Sequence, residues 1–285
     1  MQWYVLVIIS AILISISELM KKKVLYKEHS TEFSTTYALI IVILMLPFIN
    51  RLNLNLPNFI IALLVIKSVL LLASSLLFIK AMKHNELSQI MPLKNLSPVF
   101  LIVLAFFLLK EHINTTKILG VLIIMVSGYL LEKESLKHDK VFRNKYFIYV
   151  IISMIFVSVA AVIDKFIITY ANIYTIIFVP FALMTIYLLI IQFILYKGFQ
   201  DIKHSIINGK YWIFISAITI LLSDLSYFGA IALEGTLISL IIPLRRLSTL
   251  FSTIIGGVFF HEKFILDRVS LCIFMLMGVY LLVIA

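Results

Sequence analysis

The chain alternates between long apolar stretches and short polar connections along its whole length. A hydrocarbon core about 30 Å thick is crossed by a helix of roughly 20 apolar residues. Ten stretches approach this length, and each is bounded by polar residues. They lie near 3–20, 35–50, 58–82, 88–109, 115–131, 146–169, 172–196, 211–233, 236–260 and 264–284. The pattern therefore predicts ten transmembrane segments joined by short loops.

We predict that these segments are helices. Their apolar residues are continuous, whereas the strands of a membrane barrel alternate apolar and polar positions. A helix also satisfies its own backbone hydrogen bonds in lipid. The composition agrees, because 62% of the 285 residues are hydrophobic and 13% are charged, with a mean hydropathy of +1.12. A soluble chain is about half apolar and a quarter charged. We expect an all-α membrane protein embedded in the lipid bilayer, without a separate soluble domain.

Basic residues are distributed unequally among the predicted loops. The odd-numbered loops hold sixteen Lys and Arg residues, and the even-numbered loops hold four. Because basic loops stay in the cytoplasm, this bias predicts a multi-pass protein of the cell membrane with both termini outside. Basic loops also account for the net charge of +10, so we expect no nucleic-acid partner.

The two halves of the chain are similar to each other at a shift of 151 residues. The segment 87–97, LSQIMPLKNLS, aligns with 238–248, ISLIIPLRRLS, and Glu111 then aligns with Glu262. Each copy contains five predicted spans, and an odd number inserts the two copies in opposite orientations, as in secondary transporters. The predicted fold is thus ten transmembrane helices in two inverted five-helix repeats. We assign 1–132 to the first repeat, 133–145 to a basic connecting loop and 146–285 to the second repeat.

These motifs resemble the EamA-type branch of the drug/metabolite transporter superfamily, and the resemblance covers nearly the whole chain. Its marks are the run from Pro92 to Pro98, Glu111, the helix from Gly120 to Gly128, and the echoes at Pro243, Glu262 and Gly278. The resemblance implies ten helices and a central cavity lined by helices 3, 4, 8 and 9, with contributions from helices 1 and 6. It also implies export or exchange of small metabolites. Many relatives have cytoplasmic termini, which is opposite to the orientation predicted from the loops.

Charged side chains interrupt four of the apolar spans, the third, fourth, eighth and ninth. Each costs roughly 2.5–3.5 kcal/mol at the centre of a membrane helix, so the group needs compensation. The charged residues are Lys67, Lys94, Asp224, Arg245 and Arg246. We expect one cavity at the interface of the repeats to hold all five as substrate-binding residues. Asn95 and Tyr227 lie next to them and are predicted to contact the substrate, although either could instead form a hydrogen bond between helices.

Each of these charges also has a structural interpretation. Lys67 and Asp224 could form an ion pair with one another, and Lys94 could extend to the membrane surface. Arg245 and Arg246 point about 100° apart on a helix, and their guanidinium groups repel unless an anion lies between them.

The excess of interior cations over interior carboxylates favours an anionic small-molecule substrate that bears phosphate or carboxylate. Triose-phosphate translocators of the superfamily are similar in holding phosphate with a basic pair in helix 9 and a lysine in helix 4. Arg245, Arg246 and Lys94 match those positions here. The predicted activity is secondary transport by alternating access. The alternatives are an exporter of amino acids or drugs and a flippase of lipid-linked sugars or phospholipids. A homodimer is kept as one candidate for the oligomeric state.

Several other polar residues and prolines lie near or within the spans. Three acidic residues near span ends are interpreted as interfacial groups outside the site: Asp164, Glu111 and Glu262. Glu18 matches the proton-carrying carboxylate that related four-helix multidrug exporters have in their first helix, but it lies three residues before Lys21 and is interpreted as solvated at the interface or paired. Three prolines inside spans 4 and 9 either kink these helices or are tolerated as local irregularities: Pro92, Pro98 and Pro243.

Enzyme motifs are missing from the sequence. The six histidines fall in loops or at span ends, none within His-Glu-x-x-His, and neither a Gly-x-Ser-x-Gly elbow nor a phosphate-binding loop occurs. Cys272 is the only cysteine, which excludes a disulfide within the chain and a Cys-based metal site. We therefore expect no catalysis, no cofactor and no metal.

Overall fold

The computed structural model of the chain is mainly helical over the residues that it describes. These are residues 3–25, 29–97, 99–100, 103–104, 114–135, 145–168, 170–231, 233, 238–262 and 264–284. No strand occurs among them, which agrees with the predicted all-α class.

Ten α-helices are present in this part of the chain. In order they are α1 Trp3–Leu25, α2 Ser30–Met45, α3 Asn58–His84, α4 Leu87–Ile90, α5 Thr115–Ser135, α6 Lys145–Ile167, α7 Ile173–Leu195, α8 Phe199–Ile231, α9 Ile238–Phe259 and α10 Ile265–Ile284. Two 3₁₀ helices, Leu46–Arg51 and Pro92–Leu96, follow α2 and α4.

Six of the described helices are long and apolar enough to cross a membrane. They are Trp3–Leu25, Ser30–Arg51, Asn58–His84, Lys145–Asp164, Ile173–Leu195 and Phe199–Ala230. A shorter apolar helix, Ile118–Gly128, lies within α5. A multi-pass membrane protein follows from these six, while the predicted total of ten spans stays a prediction.

The fourth predicted span departs from a continuous helix near its start. The α-helix stops at Ile90, and a 3₁₀ helix begins at Pro92, since proline lacks the N–H that an α-helix needs at that position. The irregularity at Pro92 is therefore a change of helix type. Pro98 lies outside the described residues, and α9 stays helical in backbone across Pro243.

The eighth span also differs from its prediction. Residues 199–209, which the sequence places in a loop, form a helix that continues into 211–231 across a break at Lys210, where φ is 46° and ψ is −141°. Ile202 and Ser205 are buried on one side of this segment, whereas Phe199 and Ile207 are exposed. The segment is short and only partly apolar, so the search for long apolar stretches passes over it.

The packing of the helices repeats between the two halves of the chain. Helix α1 packs on α8, and α6 packs on α3; α2 contacts α8, and α7 contacts α3. The pairs α2–α7 and α5–α10 join equivalent helices. Serine hydroxyl pairs link both of the first two interfaces, Ser10 with Ser223 and Ser74 with Ser153, each at 2.8 Å. This pattern fits two five-helix units that pack face to face.

The bundle has two ends, which we name after the limits of α3. At the Asn58 end, the Asn172 amide nitrogen donates to the Arg51 carbonyl over 2.6 Å, so the loop before α3 meets the start of α7. At the His84 end, the His84 ring stacks on Tyr146 at the start of α6, with centroids 4.5 Å apart. The ends of α1 and α9 and the start of α4 and α10 also lie there.

Candidate functional site

A cavity of about 340 Å³ lies between α3, the 3₁₀ helix after α4, and helices α6 to α9. Small-molecule sites usually range from about 300 to 1,000 Å³. In the middle of the bundle, the cavity is lined by Ile14 of α1 and Ser248 of α9. Toward the Asn58 end, it is lined by Lys67, Asp164 and Ile176. The cavity thus holds the position expected of a transport site, in the middle of the bundle and reaching toward one end.

Six of the seven residues predicted from sequence line this cavity: Lys67, Lys94, Asp224, Tyr227, Arg245 and Arg246. The seventh, Asn95, is fully buried between helices and donates from Nδ2 to the Thr249 hydroxyl over 3.2 Å. Asn95 therefore joins the start of the fourth span to α9, which is the helix–helix interpretation of this residue.

Lys67 has a different partner from the one considered in the sequence. Its ammonium forms an ion pair with Asp164 of α6 and lies 3.4 Å from the Ile176 carbonyl oxygen, to which it donates. The Lys67 side chain is 5% exposed, and Asp164 is 29% exposed at the cavity wall. A Lys67–Asp224 pair is therefore wrong, and Asp164 is part of the cavity and not an interfacial group.

Asp224 pairs with Arg245 instead. A guanidinium nitrogen of Arg245 donates to Asp224 Oδ1 over 2.8 Å, and the guanidinium carbon lies 3.7 Å from the centre of the Tyr227 ring. Asp224 and Tyr227 are three residues apart on α8 and so face the same side of that helix. The ring and the carboxylate together fix the direction of the Arg245 side chain.

Lys94 is also paired, although it lies next to other cations. It donates to Glu18 Oε1 over 2.8 Å, and the same oxygen lies 3.5 Å from the Lys21 ammonium. Glu18 is 4% exposed, so it is buried within the bundle and not solvated at a membrane surface. Glu18 is therefore paired, with Lys21 as one of its two partners, and is not solvated. The extension of Lys94 to the surface is wrong, because its ammonium turns to Glu18.

Arg246 differs from the other cavity cations. Its guanidinium donates to the Ser97 hydroxyl beyond the 3₁₀ helix, and no carboxylate of the described residues lies within ion-pair distance. Arg245 and Arg246 turn to different partners, which relieves the repulsion expected between adjacent guanidinium groups. Arg246 thus presents a cation to the cavity without a carboxylate beside it.

The rest of the cavity wall is largely apolar. Ile176, Ile177, Pro180 and Phe181 contribute from α7, and Phe228 contributes from α8. Pro180 stands inside α7, where it removes a backbone hydrogen bond beside the cavity. The site therefore combines a charged wall from α8, α9 and the region after α4 with an apolar wall from α7.

The sequence profile of the EamA-like transporter family matches residues 1–132 and 144–284. The two matched segments cover most of the chain and separate it into two halves. The chain belongs to the EamA-like transporter family. Proteins of this family are transporters, so membership indicates a multi-pass membrane transporter of small molecules. None of the curated proteins matches the sequence.

Eleven chains of solved structures are similar to this EamA-like chain. One of them, described as a crystal structure of a protein, aligns with a TM-score of 0.65 and 14% sequence identity. The alignment covers 98% of this chain and 95% of the other. At this identity the likeness shows the fold alone.

Compared with the cavity that the EamA resemblance implies, the observed one has larger contributions from α6 and α7. Asp164, Ser158 and Val157 of α6 and Ile176 of α7 were not predicted as lining residues. Asp164 has one sequence signal that could have identified it, since it falls inside the predicted span 146–169 and not after it. The α7 residues are ordinary apolar residues of a membrane helix, and no sequence signal separates them from their neighbours.

Proposed function

We propose that this EamA-like protein is a secondary transporter of the cell membrane that moves a small anionic substrate, bearing phosphate or carboxylate, by alternating access. The observation that carries the proposal is Arg246, a cavity-lining cation whose partner among the described residues is a neutral hydroxyl and not a carboxylate. An arginine fork binds phosphate or carboxylate in two parallel hydrogen bonds. Arg246 would hold the anionic group of the substrate.

The charge balance of the cavity supports an anion but is smaller than the sequence predicts. Five cations, Lys21, Lys67, Lys94, Arg245 and Arg246, are in or next to the site, and three carboxylates, Glu18, Asp164 and Asp224, pair with them. Ionised in the usual way, the described groups leave two positive charges. Lys94 shares Glu18 with Lys21, and Arg246 has no carboxylate partner among the described residues. Both line the cavity, so the anionic group is expected to bind between those two side chains.

The remainder of the substrate would occupy the apolar side of the cavity. Phe181 and Phe228 offer aromatic surface there, and Ile176 offers aliphatic surface. Tyr227, whose ring packs against Arg245, would donate a hydrogen bond to a polar group of the substrate. A cavity of about 340 Å³ limits the substrate to the size of a small metabolite.

Two inverted five-helix repeats crossing the membrane with ten helices would supply the alternating movement. The repeated packing of α1 on α8 and α6 on α3 supports this arrangement, as does the family match in two segments. We assign the repeats to 1–132 and 146–285, with 133–145 as the connecting loop. Transporters of this construction move one repeat against the other around a site in the middle of the membrane.

An exporter of amino acids or drugs is the second candidate. It is favoured by the three ion pairs, which neutralise most of the cavity cations within the protein. In that case the charges hold helices in register, and the apolar wall from α7 dominates recognition.

Ligand-induced stabilisation of the purified protein separates the two candidates. Phosphomonoesters, carboxylates, neutral amino acids and organic cations are added to the detergent-solubilised protein, and its apparent Tm is measured. We expect phosphomonoesters or carboxylates to raise the Tm of the wild type, and Arg246→Ala to weaken their binding by about 10- to 100-fold, as for the loss of a charge-assisted hydrogen bond. Arg51→Ala, at an exposed arginine of the Asn58 end, serves as control and is expected to bind like the wild type. Neutral or cationic ligands that stabilise wild type and Arg246→Ala equally would instead support the exporter.

A further inference from the structure

A second polar cluster lies outside the cavity, at the His84 end of the bundle, and consists of Glu86, Ser88, Glu262 and Arg268. Both carboxylate oxygens of Glu262 accept hydrogen bonds from backbone amides at the start of α4, Oε1 from Leu87 over 2.7 Å and Oε2 from Ser88 over 2.8 Å. Glu262 comes from the second half of the chain, and α4 belongs to the first. This carboxylate therefore joins the two halves directly.

Arg268 holds the Glu262 carboxylate in place. One of its guanidinium nitrogens donates to the Ser88 hydroxyl over 2.6 Å and lies 3.8 Å from Glu262 Oε2 and 2.5 Å from Glu86 Oε2. Arg268 is 4% exposed, and Glu262 is 9% exposed. At this burial, removing one partner of a charged pair leaves the other charge without a counterion, which is strongly unfavourable. The intact cluster therefore stabilises the contact between the two halves.

Leu87 is also held by a close approach from α9. A Cβ added at Gly256 would lie 2.6 Å from Leu87 Cδ2 and 3.2 Å from its Cγ, and Leu87 is fully buried. A larger residue at this position would push the Leu87 side chain from its present place in the contact between α4 and α9. The second half of the chain thus contacts the start of α4 at two points, Gly256 and Glu262.

These two contacts lie on the His84 side of the cavity, away from the lining residues near the Asn58 end. The described lining residues run from Ile14 and Ser248 in the middle of the bundle to Lys67 and Ile176 near the Asn58 end. The start of α4 lies between the cavity and the His84 end, and the 3₁₀ helix that follows it carries Lys94 into the cavity. Opening the cavity toward the His84 end requires α4 to separate from α9 and Glu262.

We propose that Glu262, supported by Arg268, is a positioning residue of the transport cycle: its bond to the amides of Leu87 and Ser88 closes the His84 end of the cavity and breaks when that end opens. The proposal rests on the alternating access proposed above but not on the charge of the substrate. It assigns to Glu262 a role in the cycle and replaces its interpretation as an interfacial anchor.

The test measures from which side of the membrane the cavity can be reached. A single cysteine is placed at the cavity-lining Ala161 in a Cys272→Ser background, and its reaction with a membrane-impermeant maleimide is followed in right-side-out and inverted vesicles. A separate Lys203→Cys protein, exposed on the segment 199–209 at the His84 end, identifies which vesicles present that end. Glu262→Gln and Gly256→Ala are then compared with the unmodified cavity-cysteine protein.

Both variants are expected to raise the rate of labelling at position 161 from the His84 side by about tenfold or more, because each weakens the closed contact by a separate route. Two controls are expected to leave it unchanged: Glu32→Gln, which removes a carboxylate of α2 at the same end, and Gly128→Ala, where the nearest atoms are 3.6 Å from the added Cβ. Unchanged labelling from the His84 side in the folded variants, or an equal rise from both sides, would overturn the proposal.

Folding is checked by gel filtration of each variant. If Glu262→Gln aggregates, Gly256→Ala alone decides, since it keeps every charge of the cluster. The labelling does not depend on the substrate. A rise in labelling without anion binding would reject the anionic substrate and support the role of Glu262. Anion binding without a rise in labelling would support the anionic substrate and reject the role of Glu262.

Discussion

Three of the cations around the cavity each depend on a carboxylate of a neighbouring helix. Lys67 is held by Asp164, Arg245 by Asp224, and Lys94 by Glu18. In a low-dielectric interior, a paired charge is tolerated, whereas the same charge alone is strongly unfavourable. The three pairs therefore decide both the stability of the site and the positive charge that it keeps.

Removing the Asp164 carboxylate is expected to destabilise the protein. Asp164→Asn leaves the Lys67 ammonium, 5% exposed, without its counterion, and we expect a loss of about 3 kcal/mol, measured as a lower apparent Tm in detergent. Asp267→Asn, at an exposed acidic residue in the first turn of α10, is the control and is expected to change the Tm little.

The double variant Lys67→Met with Asp164→Asn provides the complementary check. Because it removes both charges, its stability is expected to return close to that of the wild type. A single Asp164→Asn variant as stable as the wild type would contradict the ion pair.

At the scale of residues, the sequence identifies which charges enter the membrane but not which of them meet. Six of the seven predicted residues line the cavity. A charge in the middle of a membrane helix is unfavourable in lipid and therefore faces the interior of the bundle or a cavity. Their partners depend on how each helix is rotated and how deep it lies relative to its neighbours. Asp164 and Glu18 lie close to the ends of their predicted spans, so the sequence does not identify them as partners of the cavity cations.

Among the helices, the pair α5–α10 depends on glycine for its close approach. A Cβ at Gly278 would lie 2.6 Å from Ile124 Cγ1 and 2.9 Å from the backbone oxygen of Gly120. A backbone atom cannot move aside as a side-chain terminus can. Small residues at such contacts let membrane helices gain van der Waals contact, which is the main attraction between them in lipid.

Gly278→Ala is accordingly expected to force α5 and α10 apart. We expect a cost of about 1–3 kcal/mol, typical of an overpacked core, seen as a lower apparent Tm and a higher tendency to aggregate. Gly128→Ala lies in the same interface, but its Cβ would find Met275 at 3.6 Å and Leu96 at 3.7 Å, which are ordinary contacts. An equal effect of the two substitutions would show that close approach at Gly278 does not hold the pair together.

Individual elements were predictable where they are long and apolar. Helices α1, α3, α6 and α7 match their predicted spans to within a few residues. The break after Ile90 and the extra helix over 199–209 depend on local features, a proline in one case and a packed face of Ile202 and Ser205 in the other. Such features do not change the average hydropathy by which spans are recognised.

At the scale of the whole molecule, the two halves of the chain pack as equivalent units. The shift of 151 residues in the sequence and the repeated pairs α1–α8 and α6–α3 agree on the same division. The cavity is lined by residues of both halves, Lys67 and Lys94 from the first and residues of α6 to α9 from the second. The membrane orientation of the units is a separate matter, set by the charges of their loops.

We propose that both chain termini face outward, because the odd-numbered loops hold sixteen basic residues and the even-numbered loops four. A reporter that fluoresces only in the cytoplasm is fused after Ala285 and, in a second protein, inserted in the basic loop 133–145. We expect signal from the loop insertion and none from the C-terminal fusion. The reverse pattern would give the orientation common among relatives.

The central claim, transport of a small anion through the Arg246 cavity, is tested most directly by counterflow in proteoliposomes. Vesicles loaded with a phosphomonoester, a carboxylate, a neutral amino acid or an organic cation receive the labelled compound outside, with and without a proton gradient. The account predicts counterflow of phosphomonoesters or carboxylates that Arg246→Ala abolishes and Arg51→Ala preserves. Counterflow confined to neutral or cationic compounds, and retained by Arg246→Ala, would contradict it.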